Sequence, residues 1–328
     1  MLFSHGRIAL KYGILSLNFS QEDEILIPDF ICSEVTSTLD EIFIKYRFYK
    51  IRSDLRPNLN SLQRSIRQNT KAILVVNYFG FPQEFNKLSL LCKKEDLILF
   101  EDNAHGFGSE FNKRKLGSFG DISISSPRKN LNLNSGGELL SNFEITEDIA
   151  LEIKNLPHYK FSKIENLFHE LKNLNYSLKA SLRFLFKKQQ NFKSIQAPSC
   201  SLHDMKIDKI SKKKLSSCDL RKIRKKRRSI YKVWEKFALK NGLNPVFNEI
   251  QEGIIPLCFP AFANDISERN IWIKWGWENR YNIYCWPNLP GVFKDENCNA
   301  NIIWQKLLCF PIDNSMNVNS LEKKLSKL

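Results

Sequence analysis

Three clusters of residues have types and spacing that could do chemistry. The first is the string SSPRK at 125–129. A lysine beside another cation in a partly dry site has its ammonium form disfavoured. Lys129, next to Arg128, could therefore act as an amine nucleophile and form an imine. Ser125 and Ser126, four and three residues before it, could hold a phosphate. The second cluster is EDNAHG at 101–106. Asp102 there follows an apolar run and precedes small residues, so it could approach a flat cationic ligand. The third is Gly6, at the start of a helical stretch whose first N–H groups lack intrahelical partners and suit an anion. Each has a plainer alternative: a surface lysine among 50 basic residues, a turn or cap carboxylate, and a simple helix cap.

Taken together the three are more specific. An imine-forming lysine, a carboxylate for a pyridinium nitrogen and an anion-binding helix start are what pyridoxal phosphate requires. Other signatures are missing. Gly106-Phe107-Gly108 is not completed into a dinucleotide fingerprint, and neither a phosphate-loop string nor a G-x-S-x-G elbow occurs.

The elements that must position these residues alternate. Helical spacing covers Gly6 to Asn18, Cys32 to Lys45, Asn58 to Gln68 and Glu84 to Lys94. Strand-like runs lie at 24–28, 47–51, 72–77, 97–100, 121–125 and 137–140. Runs such as AILVVN are apolar throughout, as expected of strands buried on both faces. Alternating β and α units predict an α/β fold with a mainly parallel sheet flanked by helices. Ligands sit at the carboxyl ends of such strands. Residues 150–190 read as helical and lysine-rich, 191–217 as a polar linker, and 218–240 as a helix. A small aromatic-rich α+β region follows, which holds five of the six tryptophans; the other is Trp234 on the helix before it. The division expected is a large domain at 1–190, a linker-like segment at 191–217 and a small domain at 218–328.

Composition bounds the partners. With 42% hydrophobic residues over 328 positions the chain can bury a core. The N-terminus does not read as a secretory signal and no apolar run approaches the roughly 20 residues of a membrane span. The eight cysteines form no C-x-x-C and the five histidines are not paired at ligand spacing. Reduced thiols in a cytoplasmic protein, without a structural metal, are expected. The net charge of +15 lies beyond residue 150, mostly within 206–240. Its centre, RKIRKKRRSIYKVW at 221–234, reads as the solvated face of a helix. The buried stripe would be Leu220, Ile223, Ile230, Trp234 and Phe237. A nucleic-acid patch is the alternative.

The stretch ILVVNYFGFPQ at 73–83, with LILFEDNAHGFGSEFNKRKLGSFGDISISSPRKNLNLNSGGELL at 97–140, resembles the DegT/DnrJ/StrS-type aminotransferases. The family's marks occur in order: G-x-P, E-D-x-A-Q/H, G-x-x-G-D, S-x-x-K and G-G. GRIAL at 6–10 and ILIPDFICSEV at 25–35 are similar to its upstream segments. RRSIYKVWEK, WPNLP and KLLCFPID are similar to its C-terminal blocks. The resemblance implies a pyridoxal-phosphate enzyme of the aspartate-aminotransferase fold (fold type I), with a seven-stranded-type sheet.

It also implies roles. Lys129 would be the Schiff-base lysine and Asp102 the partner of the pyridine nitrogen. His105 would stand near the cofactor's phenolic oxygen. Ser126, Gly6 and Arg7 would contact the phosphate. Asn134 lies where a neighbouring subunit reaches the phosphate, which implies a homodimer. Cys32 occupies the position of the usual ring-stacking aromatic, with Phe30 nearby. His5 and Arg7 replace a Ser and a Thr, and only five residues precede the first helix where the family has tens. The implied activity is transfer of an amino group, with glutamate as donor, to a nucleotide-linked keto-sugar for surface-polysaccharide synthesis. Related sugar dehydratases replace the lysine with His, so Lys129 argues against that branch. The rival from another class is a catalytically decayed regulator or nucleic-acid binder using the basic run.

Overall fold

The computed structural model describes residues 1–162, 175–186, 203–286, 288–293 and 298–327. Its frame is a seven-stranded sheet in the order β1-β9-β8-β5-β4-β2-β3. The strands are β1 (Leu2–Phe3), β2 (Glu24–Pro28), β3 (Lys45–Tyr49), β4 (Thr70–Val76), β5 (Ile98–Asn103), β8 (Ile122–Ser125) and β9 (Gly137–Ser141). A short hairpin, β6 (Glu110–Phe111) and β7 (Arg114–Lys115), lies between β5 and β8. Strands β3, β2, β4, β5 and β8 run parallel, while β9 is antiparallel to both β8 and β1. The all-apolar runs explain the arrangement. Residues 25–27 and 72–75 are buried without exception, as strands covered by helices on both faces must be.

Helices α1 (Gly6–Leu15), α2 (Ser33–Glu41), α3 (Leu59–Ser65) and α4 (Phe85–Lys94) form crossovers and flanks. Then come α5 (Pro127–Asn130), α6 (Glu147–Asn155) and α7 (Tyr176–Phe186). Several element boundaries shift by a few residues from the sequence reading, and of 150–190, read as helical, 156–162 form no helix while 163–174 and 187–190 lie outside the described residues. The second helix stops at Glu41 because Phe43 takes a left-handed backbone (φ 58°), which turns the chain into β3. Strand β5 extends to Asn103, so Asp102 lies within the strand's end rather than after it.

Of the segment read as a linker, 191–202 lies outside the described residues. Residues 203–217 are not a linker. They form α8 (Lys209–Ser216), and the chain before it adds to the edge of the large sheet. Ile207 donates to Leu2 O (3.4 Å) and Ser4 donates to Met205 O (2.8 Å). Burial of Ile207 and Asp208 holds it there.

The C-terminal part contains α9 (Leu220–Lys240), α10 (Ile266–Glu278), α11 (Asn299–Lys306) and α12 (Val318–Leu325). They pack around an antiparallel sheet, β10 (Asn244–Pro245), β11 (Cys258–Phe262) and β12 (Leu307–Pro311). Fully buried Trp234 anchors this core against Tyr281 and Phe310, with its indole N–H on Pro311 O at 2.9 Å. The basic run requires a correction. Lys222 and Lys225 are exposed. Arg227 is only 2% exposed, and Arg224 and Arg228 donate to the backbone carbonyls of Gly108 and of Ile250 and Gln251. Ile223 and Leu220 are half-buried, while Tyr231 and Ala238 join the buried stripe. Arg224 and Arg227 stand one heptad before Tyr231 and Trp234, so they continue the inward face. Among the described residues no helix is long and apolar enough to cross a membrane.

Candidate active site

The chemistry-bearing residues converge at the carboxyl ends of β5 and β8. Pairing of Asp102 with Ile124 and of Asn103 with Ser125 sets the two strand ends side by side. Pro127 opens α5 immediately after β8, where its missing N–H costs nothing. This short turn carries Lys129. Solvent reaches the Lys129 side chain, yet protein encloses it closely enough that burial lowers its ammonium pKa, and the charge of Arg128 lowers it further. Asp102, Cys32 and Glu34 oppose that shift, which places all three near the amine.

Asp102 is 6% exposed and accepts from the Ala104 N–H at 2.9 Å. Burial raises its pKa, and Lys129 counteracts part of the rise. Its neighbour Glu101 points to the other side of the sheet, as strand alternation requires. Glu101 accepts from the backbone N–H groups of Gly117 (2.6 Å), Phe119 (2.8 Å) and Gly120 (3.1 Å) and from Asn77 Nδ2 (2.7 Å). It shapes the loop that delivers β8, a role that the sequence reading did not assign. The E-D dipeptide thus divides into a scaffold carboxylate and a site carboxylate.

His105 is buried, and burial holds its pKa well below the ordinary imidazole value, with Lys129 adding to the shift. The ring is neutral at pH 7. Its Nδ1 accepts from the Phe79 N–H at 3.2 Å, which leaves Nε2 as the donor. Phe79 stacks on one side (5.7 Å between centroids), and Trp286 meets the ring edge-on at 4.7 Å. Trp286 also touches Phe30, Tyr78 and Phe79. Sequence reasoning did not single it out. Phe30 is buried in this aromatic cluster. Cys32 caps the start of α2, and its thiol pKa is raised to about 11 by burial and by Glu34.

A second group forms an anion site. Gly6 heads α1 and faces Ser126. A methyl group placed on Gly6 would stand 3.4 Å from Ser126 Cβ and 3.6 Å from its Oγ. Ser126 is buried, with its Oγ 3.4 Å from Gly136 O. His5 lies just before the helix, and its pKa is lowered to about 4 by burial and then by the charges of Arg128 and Arg7. Two guanidiniums therefore crowd the helix start beside a neutral imidazole. Gly137 closes the floor, since a Cβ there would lie 2.2 Å from His5 O.

Asn134 is held by Ser211 Oγ, which accepts its backbone N–H at 3.1 Å. Its Oδ1 is buried without a hydrogen-bond partner among the described residues. Ser135 donates to Asp208 Oδ2 at 2.6 Å, so the segment read as a linker fixes this loop.

The donor set fits pyridoxal phosphate. A reachable amine, a buried carboxylate and a neutral imidazole donor lie on one side. A helix start with a buried hydroxyl facing Gly6 and two guanidiniums lie on the other. Sheet order, β8-turn-lysine and small C-terminal sheet together define the fold of fold type I pyridoxal-phosphate transferases. Comparison with known proteins narrows this. The model of the DegT/DnrJ/EryC1/StrS aminotransferase family matches residues 2–183, and the chain belongs to that family. GDP-perosamine synthase of Vibrio cholerae is 31% identical over 155 residues, 46% of this chain and 42% of that protein. GDP-4-keto-6-deoxy-D-mannose 3-dehydratase of Escherichia coli O55:H7 is 31% identical over 127 residues, 37% of this chain and 33% of that protein. The matches span less than half the length of each relative. PseC of Helicobacter pylori, described as an aminotransferase involved in the biosynthesis of pseudoaminic acid, shares the fold with a TM-score of 0.72 at 17% identity. That likeness covers 100% of this chain and 85% of PseC.

Proposed function

We propose that the chain is a pyridoxal-phosphate-dependent aminotransferase. It passes an amino group from glutamate to a keto-sugar carried on a nucleotide, for surface-polysaccharide synthesis in the cytoplasm. The observation that carries this is Lys129, an accessible amine of lowered pKa beside buried Asp102 and His105. GDP-perosamine synthase among the relatives supports the substrate class. A dehydratase is also among them, and the amine at position 129 favours transamination over that chemistry.

The cofactor supplies an electron sink when bound; the rest falls to side chains. Asp102 would hold the ring nitrogen's proton, and a cation beside it offsets the burial that raises its own pKa. His105 Nε2 would donate to the phenolic oxygen. Gly6, Arg7 and Ser126 would hold the phosphate, with Arg128 and His5 adjoining. Lys129 would take and return the proton at the substrate carbon, and its lowered pKa provides more neutral amine at physiological pH. Cys32 would line the ring's face in place of an aromatic. The buried, unpartnered Asn134 Oδ1 supports a homodimer in which Asn134 serves the neighbour's phosphate site. We further propose two domains, built on the large and the small sheet. Nucleic acid has no part in this reading.

The test is a half-reaction. Protein loaded with pyridoxal phosphate and given glutamate should release 2-oxoglutarate stoichiometrically and then aminate a GDP- or UDP-linked 4-keto-sugar, read as a mass change of the nucleotide sugar. Release of water from the keto-sugar without amination would favour the dehydratase reading. No turnover of either kind would favour a decayed enzyme.

A further inference from the structure

We infer that Arg227 is a positioning residue that sets both Lys129 and His105 from the C-terminal half of the molecule. The inference rests on the aminotransferase reading for its meaning, but its geometry stands apart from it.

Arg227 lies on α9 and is 2% exposed. Among the described residues its hydrogen-bond acceptors are all neutral, and Asp313 acts on it only through its charge. Nε donates to Pro256 O (2.8 Å) and Nη2 to Leu257 O (2.8 Å). Nη1 donates to Asn314 Oδ1 (3.1 Å) and Asn130 O (3.4 Å). Burial lowers its pKa to about 10, so it remains a cation at pH 7. Burying a cation without a bonded carboxylate is costly, and an apolar side chain would commonly serve stability as well. What the guanidinium provides instead is a planar fork that fixes several backbone groups at once.

Two chains of bonds lead from that fork to the site. One is short. Asn130 follows Lys129 and closes its turn. The Asn130 carbonyl receives a second donor, Asn314 Nδ2, at 2.9 Å. The Asn130 side chain in turn donates to His105 O at 3.2 Å. The other chain runs through Leu257, whose N–H donates to Phe79 O at 2.8 Å. Phe79 N–H then donates to His105 Nδ1. One end fixes the peptide that carries the amine, and the other fixes the tautomer and tilt of the imidazole. Loss of the fork would free both together.

The test compares Arg227→Lys, which keeps charge but loses the fork, with Asn314→Ala, which removes one donor to Asn130 O and one acceptor of Arg227 but leaves the guanidinium and its bonds to the carbonyls of Asn130, Pro256 and Leu257 in place. Exposed Lys222→Gln on the same helix is the control. The first readout needs no cofactor. In the apo protein, the pH dependence of Lys129 acetylation by acetic anhydride is followed by peptide mass mapping. Wild type and Lys222→Gln should titrate below an ordinary lysine, and both test variants should shift toward the ordinary value. The second readout is kinetic. Arg227→Lys should lower kcat roughly 10- to 100-fold, the scale of a misplaced reacting group, and change KM for the nucleotide sugar less than about threefold. Should Arg227→Lys fail to fold, Asn314→Ala decides alone, with the same direction and a smaller shift. Folded variants with unchanged Lys129 titration and unchanged kcat would overturn the positioning role. A wild type that takes up no pyridoxal phosphate would sink the aminotransferase reading while leaving the acetylation result to judge Arg227.

Discussion

The strand ends at 98–130 and the helix Leu220–Lys240 both carry dense charge and use it in opposite ways. At the strand ends, Lys129 keeps its amine accessible, and among the described residues the Asp102 carboxylate accepts one hydrogen bond, from the Ala104 N–H two positions on. These groups are held short of full satisfaction, which is how a site retains capacity for a ligand. On the helix, Arg224, Arg227 and Arg228 are occupied by carbonyls of the protein itself. A basic run is thus not one feature. Its inward arginines join parts of the fold, and its outward lysines remain in water.

Removing a site charge should therefore cost chemistry first. Asp102→Ala should lower kcat by roughly 10- to 1000-fold, because a contacting carboxylate raises a ring nitrogen's pKa by roughly 1–3 units. Circular dichroism should show the fold intact. Near-normal turnover in that variant would break the pairing of Asp102 with the ring.

The two glycines of the anion site separate binding from packing. Gly137→Ala would drive a methyl group into His5 O and should destabilise by about 1–3 kcal/mol, seen as a lower Tm. Gly6→Ala meets Ser126 only at ordinary contact distance, so its Tm should hold. Its affinity for pyridoxal phosphate should fall about tenfold, near 1.4 kcal/mol. Equal affinity would move the phosphate away from α1.

His5 gives a pH test. Its folded pKa of about 4 lies below the unfolded value near 6.5. The unfolded state thus binds the extra proton first, and stability falls as pH drops from about 6.5 to 4, by at most on the order of 3 kcal/mol. Urea midpoints of His5→Gln should lose that part of the acid sensitivity. A midpoint difference that is constant over this window would show that His5 is not buried neutral.

The smallest effect belongs to the outward face. Replacing exposed Lys222 and Lys225, together with half-buried Lys226, by Gln should change stability by less than about 0.5 kcal/mol and leave kcat unchanged. If the triple variant instead loses tight, salt-sensitive binding of DNA or RNA shown by the wild type, the face is a nucleic-acid surface.

Much of the large sheet was legible because its signals are local. Apolar runs name buried strands, and the polar residues at their ends are placed by loops of a few residues, as with Asp102 and Lys129. Ser126 and Gly6 needed the resemblance to be joined, since 120 positions separate them. The helix at 220–240 was legible as a helix but not in its partners. The carbonyls that take Arg227 belong to residues 130, 256 and 257, and no local pattern records them. The heptad spacing to Trp234 was the available sign. Trp286 escaped for the same reason: its contact with His105 joins residues 181 positions apart. The segment 203–217 was read as a linker because polar, poorly periodic residues can also be held by a sheet edge and by caps such as Asp208.

The most direct measurement is the site of covalent trapping. Pyridoxal phosphate is added to the protein, the mixture is reduced with borohydride, and proteolytic peptides are mapped by mass. A visible absorption band is expected before reduction, with its loss afterwards and a single modified peptide that contains Lys129; Lys129→Ala should give neither band nor adduct. A stable adduct on another lysine, or an unaltered band in Lys129→Ala, would contradict the assignment of the site.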